Sequence, residues 1–229
     1  MSKQQVGWTR MVEHRHNTGF TMVELMITLA ISGMVMGAIY GAYISQQRTY
    51  VAQDDVAEMQ QNVRAAIYAM VSDLRMAGYD DGSGAGATIE EAHLNDVKVS
   101  CDLDGDGKTD QSDEIIQYSM YQSGSDGIWR LGRKEVNGGS TIQAVAENFN
   151  DATSLEFQYL DAEGNTTTVL DDIRAIRICL LARASKAAQD YENTGLTYTS
   201  PSGTVWGPFN DNVRRRLYVT TVNLRNMGL

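Results

Sequence analysis

The chain has 229 residues, 42% of them hydrophobic and only 2 of them proline, and a formal net charge of −10. That length suits one domain plus an appendage, with enough apolar material for a core. Lys3, Arg10, Arg15 and Glu13 fall in the first nineteen positions, so the rest of the chain carries 16 basic against 28 acidic residues, or −12. A body this acidic argues against a nucleic-acid groove, which needs a concentrated positive face, and fits an exported surface or cation binding.

From Phe20 to Ile44 there are 25 residues and one charge, Glu24. As a helix this run would span roughly 37 Å, enough to cross a bilayer core of ~30 Å with some tilt. The cations ahead of it predict a cytoplasmic N-terminus and an exported C-terminal body. An ordinary secretory signal has a shorter apolar region followed by a small-residue cleavage site, and no Ala-x-Ala pattern ends this run. A lone carboxylate in lipid costs several kcal/mol, so Glu24 calls for a partner.

The junction TG/FTMVEL places Gly19 before Phe20, with Glu24 four residues on. It resembles the class III signal of type IV pilins and type II secretion pseudopilins. The resemblance implies that a membrane aspartyl peptidase cuts after Gly19 on the cytoplasmic side, and that Phe20 becomes the N-methylated first residue. The new ammonium would then lie one helical turn from Glu24, at the end of the macrodipole that favours an acid. A carboxylate paired with an ammonium is far less costly in lipid than either alone. In the family the equivalent acid meets the amine of a neighbouring subunit during assembly; a Glu that only reaches the membrane interface is the plainer alternative. Gly33, Gly37 and Gly41 are spaced by four, a small-residue stripe of the kind that lets membrane helices approach closely. Glycine is also simply common in such helices.

Beyond Ile44 the pattern turns amphipathic. Tyr50, Val51, Val56, Met59, Val63, Ala66, Ile67, Met70, Val71 and Leu74 recur three and four apart. No Pro or Gly interrupts Ala42 to Ala77, and Gly78 supplies a C-cap. One helix from Phe20 to Ala77 would be roughly 87 Å long. Its first half, 20–44, is expected in the membrane or a filament core, and its amphipathic half, 45–77, against a domain spanning 78–229. The runs QNVRAA and DLRMAGY and the ending RRRLYVTTVNLRNMGL resemble PilW-type minor pilins.

The stretch DDGSGAGA reads as flexible. Residues 114–121 and 127–136 read as a hairpin, 154–161 and 166–170 as a second, and 173–181 and 216–225 as further strands. Residues 185–213, polar and holding both prolines, read as a surface loop or subdomain. The sum is an α+β fold, an antiparallel sheet packed on the amphipathic half of the helix, which is the shape the pilin resemblance implies.

In DLDGDGKTDQSD (102–113), Asp102, Asp104, Asp106, Gly107, Asp110 and Asp113 match positions 1, 3, 5, 6, 9 and 12 of a calcium loop, with the Lys108 carbonyl at position 7. Position 12 is the shorter Asp, no flanking helices are evident, and Glu114 is an alternative ligand. A structural Ca2+ beside Cys101 is the expectation, and a solvated Asp/Gly turn the alternative. Cys101 and Cys179, in an oxidising compartment, are expected to pair; two buried free thiols are the alternative.

No nucleophile elbow, zinc-protease motif or P-loop occurs. His93 reads as a surface residue and Arg214–Arg216 as a solvated strand entrance, so no enzyme is expected. The function expected is that of a minor pilin in type IV pilus assembly, with major and minor pilins, a prepilin peptidase and an inner-membrane assembly platform as partners, and no direct nucleic-acid contact. A type II secretion pseudopilin is one alternative; a signal-anchored, calcium-binding surface enzyme or receptor is another.

Overall fold

In the computed structural model the described residues are 19–228 except Ser125, Ser140 and Asp190. Residues 1–18 of the leader, with Lys3, Arg10 and Arg15, lie outside them. One helix, α1 (Met22–Met76), runs for 55 residues, and the chain divides into two units between Thr49 and Tyr50.

In the first unit every residue from Gly19 to Tyr43 is exposed. An 18-residue window of its helix reaches a mean hydropathy of 1.9, long and apolar enough to cross a membrane. A continuous apolar surface of this extent does not persist in water, so it calls for lipid or other helices.

In the second unit α1 buries Asp55, Met59, Val63, Ala66, Met70 and Leu74, three and four residues apart on one face. Val56, Ile67 and Val71 flank that stripe, half-buried. Tyr50 and Val51, expected in the stripe, are exposed; Val56 is the first apolar side chain of the helix that the core takes in.

The sheet is antiparallel and is built from β1 (Ile89–Ala92), β2 (Asp96–Ser100), β3 (Ile115–Gln122), β4 (Trp129–Glu135), β5 (Ile142–Phe149), β6 (Leu155–Leu160), β7 (Ala175–Arg183) and, last in the chain, Arg215–Asn223. A separate hairpin precedes that last strand, β8 (Tyr198–Thr199) with β9 (Val205–Trp206), so Arg215–Asn223 is β10. Among the described residues the order is β1-β2-β3-β4-β5-β7-β10, with β6 also paired to β7. The sheet curls, and the β1–β2 turn meets β6: Phe157 N–H donates to Leu94 O at 2.7 Å, and the Tyr159 hydroxyl lies 2.8 Å from His93 O.

Strand β7, expected within 173–181, alternates between two buried faces. Ile176, Ile178, Leu180 and Ala182 enter the core under the helix, while Cys179 and Leu181 face the other way, beneath Trp206. Residues 166–170, expected as a strand, make only one bridge, Thr166 to Leu160, before a 3-10 turn at Leu170–Asp172. Strand β6 takes β7 as its ladder partner, so the threonine run closes the end of β6 instead of extending it. Strands β1, β2 and β5 were not expected. The first two are short and charged, and β5 (IQAVAENF) alternates small and polar residues with little apolar contrast. The polar segment 185–213 holds the β8–β9 hairpin, which lays Trp206 on the back of the sheet, its indole N–H donating to Thr153 O at 2.8 Å.

Polar contacts fix the helix on the sheet. Asp73 of α1 accepts from the Tyr118 hydroxyl and from Arg133 Nε, both at 2.7 Å, and burial against this carboxylate pushes the Tyr118 phenol up. Asn62 exchanges hydrogen bonds with the backbone of Glu147, donating at 2.5 Å and accepting at 3.3 Å. The helix stops where expected. Gly78 adopts φ +74°, and a Cβ there would lie 2.6 Å from Met227 Sδ. Replacing Gly78 by alanine combines a left-handed backbone with a clash. Thermal unfolding of Gly78→Ala followed by circular dichroism is expected to show a loss above about 1 kcal/mol, or a melting temperature lower by roughly 3 °C or more.

Candidate functional site

The start of α1 is built by its own side chains. Thr21 is the last residue before the helix, and Glu24 the third within it. Glu24 Oε2 accepts from Thr21 N and from Thr21 Oγ1, both at 2.9 Å, and Glu24 N–H donates to Thr21 Oγ1 at 3.2 Å. This reciprocal capping box satisfies amides that a helix start leaves open. The Thr-x-x-Glu spacing was visible in the sequence; the apolar run drew attention to the charge of Glu24 and away from its spacing to Thr21. Both bonds fall on Oε2, so Oε1 keeps acceptor capacity for a further donor. Gly19 and Phe20 are exposed just ahead of the cap. A Cβ on Gly33, Gly37 or Gly41 would meet nothing within 4 Å, so among the described residues no group occupies that stripe.

The acidic loop follows β2. Asp102, fully buried, turns the chain: Oδ1 accepts from Gly105 N at 2.7 Å and Oδ2 from Gly107 N at 3.0 Å. Asp104 accepts from Asp106 N at 3.1 Å, and Asp106 from Lys108 N at 2.9 Å. Gly107 makes the expected sharp turn at φ +81°. Carboxylate oxygens of Asp102, Asp104 and Asp106 lie within 4.8 Å of one another, the spread that one ion with oxygens at about 2.4 Å would span. Asp110 and Asp113 are outside this group. Lys108 Nζ approaches Asp106 at 3.6 Å and Asp110 at 3.9 Å. Glu114, 1% exposed, clamps the loop, accepting from Leu103 N at 3.0 Å and Gln111 N at 2.8 Å.

The stretch expected to be flexible is folded onto this loop. Asp80 accepts from the Gly82 and Gly84 amides, Ser83 Oγ donates to Asp102 Oδ2 at 2.8 Å, and a Cβ on Gly105 would lie 2.6 Å from Asp81 Oδ2. Asp80 and Asp81 thus form a second acidic group with Asp102. A run of Asp, Gly and Ser reads alike whether it is solvated or docked, so no local signal named these residues.

The charges respond to this crowding. The Ser83 hydroxyl, with the Gly105 and Gly107 amides, holds the Asp102 carboxyl below its ordinary value. The Asp106 amide favours ionisation of Asp104, but desolvation and the carboxylates of Asp106, Glu114 and Asp102 push it up overall. Because the Asp102 value is lowered by folding, its contribution to stability is present above the ordinary carboxylate range and is lost as the pH falls through the folded-state value.

The expected disulfide is absent. Cys101 and Cys179 are both free and buried. Cys101 follows β2, whose partners are β1 and β3, and Cys179 is central in β7, whose partners are β5, β6 and β10. A bridge needs Cα atoms within about 7 Å, and no strand pairing brings these two together. Burial, with the Glu114 carboxylate near Cys101 and that of Glu156 near Cys179, pushes both thiols up to about 11.

Of the arginine triplet, expected as a solvated strand entrance, only Arg216 is exposed. The Arg215 side chain is 1% exposed; it grips both Asp211 oxygens at 2.7 Å and lies 3.8 Å over the Phe209 ring. Arg214 stacks on Tyr191 at 4.2 Å. His93, expected at the surface, lies in the β1–β2 turn with its side chain 67% exposed.

The family described as Type IV Pilus-assembly protein W matches residues 130–226, and the prokaryotic N-terminal methylation motif matches residues 14–40. A type IV-like pilin from Thermus thermophilus aligns with 74% of this chain and 98% of its own, at 15% identity and a TM-score of 0.42. No curated protein matches the sequence.

Two outcomes follow. In Thr21→Val the Glu24 amide loses its acceptor. A cap is worth about 1 kcal/mol, so its hydrogen exchange in micelles is expected to quicken about five-fold, with amides near Ala66 unchanged. Thiol titration without reductant is expected to find both cysteines reduced, slow to react while folded and fast once unfolded, because the reacting species is the thiolate.

Proposed function

From the methylation motif over residues 14–40 and the match to Type IV Pilus-assembly protein W over 130–226, we infer that this chain is a type IV pilin-like protein of the PilW type, and we propose that it serves as a minor pilin in assembly or initiation of a type IV pilus. One observation carries the reading. Glu24 is the only charge between Phe20 and Ile44, and it stands four residues past the Gly19–Phe20 junction. The motif and the apolar helix fit a membrane-anchored pilin, and the PilW match favours a pilus over a secretion pseudopilus.

In this reading prepilin peptidase cuts after Gly19, Phe20 is N-methylated, and the N-terminus stays on the cytoplasmic side until the subunit leaves the inner membrane. The capping box holds the Glu24 carboxylate at the helix start, and Oε1 is the acceptor offered to a terminal ammonium, its own or a neighbour's. Pairing there removes the cost of a lone charge in lipid and sets the axial register of the incoming helix. The Gly33, Gly37 and Gly41 stripe is the face on which another pilin helix approaches closely. The work of the chain is structural, with other pilins and the assembly platform as partners.

We further propose that the acidic loop holds Ca2+ through Asp102, Asp104 and Asp106, with the Lys108 carbonyl as a further oxygen and water filling the rest of the shell. The donors fit a hard cation: they are oxygens only, and they lie close together. The ion would neutralise these carboxylates and stiffen the loop on which Asp80, Asp81 and Ser83 rest.

Mass spectrometry of sheared surface fibres is expected to find the chain beginning at N-methylated Phe20. Glu24→Gln is expected to leave cleavage intact and to cut fibre incorporation at least ten-fold; unchanged incorporation rejects the pairing. Chelation of Ca2+ from the full chain in micelles is expected to remove about 1 kcal/mol, or about 2–4 °C of melting temperature, at millimolar calcium about five times the Kd. Asp104→Asn is expected to abolish that response, and an unchanged melting temperature on chelation of the native chain rejects the ion.

A further inference from the structure

A groove of about 490 Å3 runs between the last turns of α1 and the C-terminal segment. Val71, Met76, Tyr68 and Tyr79 line it, together with Arg75 and Arg225, which contribute its charges. The C-terminal segment is fixed in place: Asn226 Nδ2 donates to Arg75 O at 3.3 Å and to Ala77 O at 3.4 Å, and Met227 packs against Gly78. The fold brings Arg225 to the same groove as Arg75, although 150 residues separate them in sequence (225 − 75).

The chain carries −10, and several of its cations have acids of their own. Lys98 pairs with Glu90 at 2.8 Å, Arg130 with Asp126 at 2.6 Å, Arg133 with Asp73 at 2.7 Å and Arg215 with Asp211 at 2.7 Å. Among the described residues no ion pair engages Arg75 or Arg225. The dipole of α1 favours a cation in its last turn, which accounts for Arg75 alone. It does not account for Arg225, for Tyr68 at 79% exposure, or for the exposure of Met76 and Tyr79.

We propose that this groove docks an acidic peptide segment of a partner protein, one that places an apolar side chain against the two tyrosines and carboxylates on Arg75 and Arg225. Arginine forks match carboxylates in geometry. Tyrosine and arginine are the residue types that carry binding energy at protein contacts, and the volume lies within the range of sites that grip a compact ligand group. A nucleic acid is the less favoured occupant. Two guanidiniums offer few phosphate contacts, and the surrounding −10 chain repels a polyanion. In the pilin reading the segment belongs to a neighbouring subunit, but the chemistry of the groove does not depend on that reading.

The test uses the full chain in detergent micelles and a fluorescein-labelled octapeptide alternating glutamate and phenylalanine, followed by anisotropy. The acidic peptide is expected to bind, more weakly as salt rises, and a lysine–phenylalanine octapeptide is expected not to. The variant R75A/R225A is expected to lose at least ten-fold in affinity with its circular dichroism melt unchanged, R75K/R225K to retain part of it, and Arg216→Ala all of it. The proposal is overturned if the two peptides bind alike, if R75A/R225A binds as the native chain does, or if oligothymidylate displaces the acidic peptide at lower concentration than the peptide itself. It is also overturned if sedimentation shows a dimer that R75A/R225A dissolves, because the occupant is then a second copy. Failure here with Glu24-dependent fibre incorporation intact removes the groove and leaves the assembly reading standing.

Discussion

The stripe Met59, Val63, Ala66, Met70 and Leu74, each no more than 5% exposed, is the contact on which the second unit depends. Most of a helix's stability in a folded protein comes from the packing of its apolar face. A curled sheet with one apolar face needs a cover. Each supplies what the other lacks, and full burial of side chains of this size contributes roughly 1.5–3 kcal/mol apiece for the larger ones. The polar contacts add position more than energy. Asp73, shared by Tyr118 and Arg133, and Asn62, paired with the Glu147 backbone, allow one axial setting of helix on sheet, because a slip of one turn would leave those groups unpaired in a partly buried layer.

The two ends of that helical segment are then free for other work. Upstream, the chain from Gly19 to Tyr43 buries nothing within the described structure and carries one charge, held in a capping box. Such a segment is finished only by lipid or by other helices, which is the behaviour required of a subunit that must be stored in a membrane and later handed to a fibre. Downstream, Gly78 turns the chain so that Tyr79, Asp80 and Asp81 leave the helix in two directions. Tyr79 lines the cationic groove, and the acids join the Asp102 loop. The left-handed conformation of one glycine thus divides a basic surface from an acidic one.

The acidic loop shows how a local motif gains meaning from distant chain. The Asp-x-Asp-x-Asp-Gly order sets the Asx-type turns, and it did so as expected. The loop is braced by Glu114 from its far end and by Ser83 from before β1, and those braces, not the motif, decide that Asp102 is buried and that Asp104 is crowded. The same lesson holds for the cysteines. Composition and compartment favoured a bridge, but the order of strands gives Cys101 and Cys179 different neighbours, and each is buried as a small apolar residue.

The sequence by itself determined the elements whose signal is local: the apolar run and its lone acid, the helix stripe and its glycine stop, the alternation in β7, and the hairpin of β3 and β4. In each case the deciding forces act between residues a few positions apart, so periodicity records them. The tertiary structure alone decided which charged or small-residue segments become strands, as in β1, β2 and β5, where pairing with a neighbour replaces intrinsic preference. It also decided that Arg215 is buried against Asp211 and Phe209, that DDGSGAGA docks instead of moving freely, and that Arg225 lines the same groove as Arg75. Those outcomes depend on which surfaces the curled sheet brings together, and the pairing of residues far apart in the chain leaves no periodic trace along it.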